Sequence, residues 1–131
     1  SYPASEKLTI GGQVYRFDEG GYMRTGWVSD EGVWYYQSGS GAQVSGWVLD
    51  GLSWYYLAPG SGAMATGWLD LGGTWYYLAP GSGAMTTGWL KDGDSWYYLT
   101  PGSGAMATGR VLIGSSWYRF DASGPLGRLI V

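Results

Sequence analysis

The chain has 131 residues, 25 of them Gly, and carries nine Trp and twelve Tyr but two Phe, no Cys and no His. Its formal charge is −3, from seven basic and ten acidic residues, and the basic residues do not cluster, so no nucleic-acid partner is expected. The absence of Cys removes disulfides and thiolate metal sites, so much Gly argues against a helical bundle, so many aromatics argue against a disordered tail, and no apolar run has the length of a membrane span.

The chain opens at Ser1 without the pattern of a signal peptide, so any export signal is expected elsewhere. Residues 1–21 read as a degenerate N-terminal capping hairpin around Val14-Tyr15-Arg16-Phe17. Then the dipeptide Gly-Trp recurs at Gly26-Trp27, Gly46-Trp47, Gly67-Trp68 and Gly88-Trp89, a period of 20 and then 21, with Gly109-Arg110 in the fifth position. Seven residues after each of these Trp a second one opens Trp34-Tyr35-Tyr36, Trp54-Tyr55-Tyr56, Trp75-Tyr76-Tyr77 and Trp96-Tyr97-Tyr98; the fifth copy reads Trp117-Tyr118-Arg119. Residues 22–109 thus form four repeats, and 110–131 a degenerate C-terminal capping hairpin with a tail.

Between the two Trp of each repeat a turn is expected, centred on Asp50-Gly51 and Asp92-Gly93 in two copies, as a type I′ hairpin prefers. Less favourable midpoints fall at Asp30-Glu31, Leu71-Gly72 and Ile113-Gly114. On that register Trp47 pairs with Trp54, Gly46 with Tyr55 and Ser45 with Tyr56. Alternation then sends Trp47, Trp54 and Tyr56 to one face and Val48 and Tyr55 to the other. In the next repeat Trp68, Trp75, Tyr77 and Met64 share a face, and Tyr76 covers Gly67. Near-identical connectors follow: Ala58-Pro59-Gly60-Ser61-Gly62-Ala63-Met64, Ala79 to Met85, and Thr100 to Met106. A lone hairpin is marginal in water, so the units must stack. The expected fold is all-β, a β-solenoid of tandem β-hairpin repeats.

No catalytic constellation is expected, because Asp30, Glu31, Asp50, Asp70, Asp92 and Asp94 sit at hairpin tips, where short acidic residues serve turns. No cofactor and no metal site are expected; the repeated tip carboxylates are a poor match to a calcium loop. The aromatics carry the chemistry. Tyr35, Tyr55, Tyr76 and Tyr97, the middle residues of the triplets, are assigned to packing. The Trp pairs are assigned to binding, since so many indoles without large aliphatic partners would otherwise be idle apolar patches. Such boxes of ring faces attract a soft cation such as a quaternary ammonium. A polysaccharide stacking on Trp is the alternative, and a purely structural repeat stalk is a third reading.

The motif Thr66-Gly67-Trp68-Leu69-Asp70-Leu71-Gly72-Gly73-Thr74-Trp75-Tyr76-Tyr77-Leu78, followed by Gly83-Ala84-Met85, resembles the choline-binding, or cell-wall-binding, repeat of Gram-positive surface proteins, phage lysins and autolysins. The resemblance implies a left-handed superhelix, with choline or phosphocholine of teichoic acid as the partner, bound between consecutive hairpins. It also implies a secreted, cell-wall-associated, non-catalytic module, and it admits a homodimer through a terminal repeat. Carried over residue by residue, it implies a first site of Trp27, Trp34 and Tyr56, with Gln43 where Met would be. The second is Trp47, Trp54, Tyr77 and Met64, and the third Trp68, Trp75, Tyr98 and Met85. A fourth set, Trp89, Trp96 and Met106, is left incomplete by Arg119, and Arg110 is expected to stack on Trp117, or Arg119 on Trp89 and Trp96, in place of a ligand. Leu126, Leu129, Ile130 and Val131 form a hydrophobic end suited to a cap or a partner surface.

Overall fold

The structure, a computed structural model, describes residues 6–121 and 127–130; Leu126 and Val131, and the ends of both expected capping segments, lie outside them. Among the described residues there is no helix. Twelve five-residue strands form six two-stranded antiparallel sheets, each a hairpin of consecutive strands. They are β1 (Glu6–Ile10) with β2 (Gln13–Phe17), β3 (Gly26–Asp30) with β4 (Val33–Gln37), β5 (Gly46–Asp50) with β6 (Ser53–Leu57), β7 (Gly67–Leu71) with β8 (Thr74–Leu78), β9 (Gly88–Asp92) with β10 (Ser95–Leu99), and β11 (Gly109–Ile113) with β12 (Ser116–Phe120). The chain divides into two compact units, Ser1–Ala65 and Thr66–Val131, each with three hairpins. The expected class, all-β and built of tandem hairpins, is the one observed.

The register differs from the expected one by one turn position. Trp47 pairs with Tyr56, Val48 with Tyr55, Leu49 with Trp54 and Asp50 with Ser53, so the tip is Gly51-Leu52 and not Asp50-Gly51. Gly51 has φ 66° and Leu52 does not have positive φ, the signature of a type II′ turn, which asks for Gly at its first position. The β9–β10 turn repeats this with Gly93 at φ 62°. Where Gly stands second, as in Glu31-Gly32 at φ 52° and 82°, both residues are positive as in type I′. Because the slip moves each pairing by two residues, the faces survive it.

One detail of the faces does not survive. Tyr76 lies opposite Leu69, and Gly67 lies opposite Leu78, so Tyr76 does not cover the glycine. The Gly of each Gly-Trp has another cause: Gly67 has φ 77°, and a Cβ built on it would meet nothing within 4 Å. Backbone handedness, not crowding, demands Gly there.

Closing residues at the ends of β6, β8, β10 and β12 belong to the core. Leu57, Leu78 and Leu99 are fully buried and Phe120 nearly so, and each makes a backbone bridge to the connector that follows, to Met64, Met85, Met106 and Leu129 respectively. Burial of such side chains contributes about 1.5–3 kcal/mol each. The connectors also tie one hairpin to its predecessor. The Met64 amide donates to the Trp34 carbonyl at 2.9 Å, while the next amide, Ala65, returns to Tyr56 of its own hairpin at 2.8 Å. In the second unit Met106 reaches Trp75 and Leu129 reaches Trp96 in the same way, at 2.8 and 2.7 Å.

Candidate functional site

Each hairpin has two unlike faces, set by the period of two. In the four repeats the front face carries both Trp and the last Tyr of the triplet. The rear face carries the middle Tyr, the closing residue and, in three hairpins, the Asp just before the turn. The front of one hairpin meets the rear of the next within each unit, and that juxtaposition builds the site.

In the second unit Trp68 and Trp75 stand edge to face, 6.5 Å between centroids and 78° between planes. Tyr97 comes from the rear of the next hairpin to 4.8 Å from Trp68, and Met106 is held beside Trp75 by its amide. These four residues line a cavity of about 310 Å³, at the small end of small-molecule sites. The indole N–H of Trp68 is not free to greet a ligand, because it donates to Asp92 Oδ2 at 2.8 Å. The first unit repeats the arrangement: Trp27 lies 4.9 Å from Tyr55, its N–H donates to Asp50 Oδ2 at 2.8 Å, and Met64 is fixed beside Trp34. A third copy has Trp89 and Trp96 at 6.3 Å and 83°, Tyr118 at 5.0 Å from Trp89, and Leu129 in the connector position. Here Ile113 stands where Asp50 and Asp92 stand, and Trp89 is 38% exposed.

The sets expected from the sequence are therefore regrouped. The Trp pairs Trp27 with Trp34, Trp68 with Trp75 and Trp89 with Trp96 each lie on the front face of a hairpin that meets the rear of the next. Their cross-hairpin tyrosines are Tyr55, Tyr97 and Tyr118, not Tyr56, Tyr98 and the position of Arg119. Tyr56 and Tyr98 lie on the front faces of their own hairpins, 5.1 Å from Trp47 and 5.2 Å from Trp89, so neither can look back at the preceding pair. Likewise Tyr77 packs on Trp68 at 4.9 Å. The methionines shift by one connector: Met64 serves Trp34, and Met106 serves Trp75. Met85 lies against Gly104, where an added Cβ would collide with its sulfur. Trp47 and Trp54 belong to the first unit and Tyr77 to the second. The set around Trp89, read as incomplete, has its third aromatic in Tyr118. Period-two alternation alone could have found Tyr97 and Tyr118, since only the middle residue of a triplet points backwards.

At the N-terminal end Arg16 occupies the corresponding space. Its guanidinium lies 3.9 Å above the centroid of Tyr35 and pairs with Asp30 at 3.4 Å. It donates to Gln37 Oε1 at 2.8 Å and also to Gln43. Arg16 and Gln37 are 2% and 1% exposed, and Gln37 replaces the closing Leu, giving its amide to the Gly41 and Val14 carbonyls. Gln43, expected in the first site, belongs to this cluster, and its amide Nε2 reaches the Ser61 carbonyl at 3.2 Å. At the other end Arg110 stacks on Trp117 at 4.6 Å, one of the two arrangements expected, and faces Arg119 across the strands.

The profile of the choline-binding repeat matches residues 31–67 and 65–110, and that of a cell wall binding repeat matches residues 111–126. No individually curated protein matches the chain. Among solved structures, choline binding protein F from Streptococcus pneumoniae, crystallised in the presence of a peptidoglycan analogue, is 42% identical over 94% of this chain with a TM-score of 0.86. A structure of the same protein in complex with ipratropium is 38% identical over 96%, with a TM-score of 0.83. The modular autolysin LytC from Streptococcus pneumoniae is 34% identical over 96%, with a TM-score of 0.74. The chain spans 40, 42 and 27% of the length of these three. Two profile matches that together run without a break from residue 31 to residue 110 cover more than half of the sequence, and so the chain belongs to the choline-binding repeat family.

Proposed function

We propose that this module binds choline, free or as the phosphocholine of teichoic acids, in the spaces between hairpins, and so holds its parent protein at the bacterial cell surface. The observation that carries this reading is the cavity between Trp68, Trp75, Tyr97 and Met106. Three ring faces and a thioether suit a trimethylammonium group, whose methyls need contact and whose charge is met by ring quadrupoles, each contributing about 0.5–2 kcal/mol. A sugar would need several convergent polar groups, and the one indole N–H that faces the next hairpin here is already committed to Asp92. Ipratropium, found in complex with choline binding protein F, is itself a quaternary ammonium compound, which supports the same ligand class for this chain.

The proposed sites are Trp27, Trp34, Tyr55 and Met64; Trp68, Trp75, Tyr97 and Met106; and Trp89, Trp96, Tyr118 and Leu129. Individual affinities can be weak, since a polymer bearing many cholines engages several boxes at once and gains from effective concentration. The module's contribution is attachment; bond-breaking chemistry is not assigned to it. Titration with choline, followed through the indole N–H resonances of the nine Trp, tests the reading. Shifts at Trp68 and Trp75 that saturate with choline support it, and their absence at millimolar choline alongside a response to dextran would replace it with glycan binding.

A further inference from the structure

The first interface of the chain contains its own cation, and that cation is met by two groups that recur together in two later hairpins. Arg16 projects from the front of the β1–β2 hairpin, lies on Tyr35 and pairs with Asp30. Tyr35 is the middle Tyr of its triplet and Asp30 the last residue before its turn, both on the rear face. The same two register positions in the β5–β6 hairpin are Tyr55 and Asp50, and in the β9–β10 hairpin Tyr97 and Asp92. Both pairs look back at Trp, and in both the carboxylate accepts the indole N–H at 2.8 Å. In the β11–β12 hairpin the Tyr persists as Tyr118 but the Asp becomes Ile113.

From this we infer that Asp50 and Asp92 are charge-selecting walls of the Trp27 and Trp68 boxes, so that the boxes are graded: those with a carboxylate prefer a cation over a neutral group of the same shape, and the Trp89 box does so less. The inference rests on the proposed choline reading and deepens it. Two physical effects act together. The carboxylate lies at the indole edge, within a Debye length of a cation seated on the ring face, and adds a direct attraction. By accepting the N–H it also fixes the ring plane against which the cation packs. Asp92 is exposed, so the direct attraction is modest and depends on salt.

The test is site-resolved. Choline and its neutral isostere 3,3-dimethylbutan-1-ol are titrated against the whole chain, and the indole resonances of Trp68 and Trp89 are followed separately at low and high salt. D92N keeps an oxygen acceptor for the indole and removes the charge; I113D supplies the charge to the box that lacks it. The expected result is a two- to fourfold weaker choline dissociation constant at Trp68 in D92N, largely erased by half-molar salt, with the neutral isostere unchanged, and a gain of similar size at Trp89 in I113D. Equal losses for choline and the isostere in D92N would make Asp92 a merely structural partner of Trp68 and overturn the inference, as would unchanged choline binding in D92N. If choline shifts neither Trp68 nor Trp89 in the unaltered protein, the choline reading itself falls; if it shifts both equally and ignores D92N, only the grading falls.

Discussion

Substitution of adjacent tyrosines distinguishes the two ways of assembling a box. In the structure Tyr97 reaches 4.8 Å from Trp68 and lines the cavity, whereas Tyr98 lies 5.2 Å from Trp89 on the opposite face and near Phe120, 6.5 Å away. Removing the Tyr97 ring removes one cation–π wall worth about 0.5–2 kcal/mol, a loss of about 2- to 30-fold in affinity. Tyr97→Leu should therefore weaken choline at the Trp68 resonance about five- to tenfold and spare the Trp89 resonance, while Tyr97→Phe, which keeps the ring, stays near the unaltered value. Tyr98→Leu should leave choline at Trp68 within twofold. It should instead lower stability by about 1–3 kcal/mol through lost ring contacts, read as a shift in the urea midpoint at unchanged slope. A Tyr98→Leu protein that loses choline at Trp68, beside a Tyr97→Leu protein that does not, would refute the front-to-rear assembly.

Gly67→Ala should cost about 1–2 kcal/mol, because φ 77° is unfavourable to any side chain although the space is open; urea denaturation reads this. Gly104→Ala should cost more than Gly67→Ala, since φ 79° is joined there by a collision with the Met85 sulfur, and Gly104→Ala in a Met85→Ala background should return part of the excess. Arg16→Met should destabilise by about 1–3 kcal/mol, leaving the buried Gln37 Oε1 without its donor. Adding Gln37→Leu, which restores the closing residue of the other repeats, should recover much of that loss, and a thermodynamic cycle over the two sites measures the coupling.

Repeat, hairpins and the two-faced pattern of the strands are legible in the sequence because each follows from a strict period: 20 to 21 residues between Gly-Trp pairs and two between side chains on a face. The tip position is less legible. Asp-Gly fits either the two central residues of a type I′ turn or the last paired residue and first turn residue of a type II′ turn, and the choice depends on backbone twist across the whole hairpin. Cross-hairpin partners depend on which connector amide reaches back, and near-identical connectors give no local clue. Tyr97 is the instructive case: alternation places it opposite in direction to Tyr98, which already disqualifies Tyr98 as the residue that faces the preceding Trp pair. The Arg16 cluster is hidden for another reason. An Arg and a Gln read as surface residues one at a time, and only their burial against one another, with Asp30 as a further partner of Arg16 and the Val14 and Gly41 carbonyls as partners of Gln37, satisfies both.

The same residues hold the hairpins together and form the boxes, which limits how far binding can be changed without changing stability. Tyr55 and Tyr97 contribute ring contacts to the preceding Trp whether or not a ligand is present, and Met64 and Met106 are placed by the amides that link successive hairpins. A box is thus largely built by the packing that a two-stranded hairpin needs to persist. Where a repeat gives up its Trp, the protein must satisfy the next rear face by other means. At the first interface Lys7 and Val14 stand in the two Trp positions, and Arg16 fills the opening by lying on Tyr35 and pairing with Asp30. That substitution shows what one rear face accepts in this chain: the flat guanidinium of Arg16 between a phenol and a carboxylate.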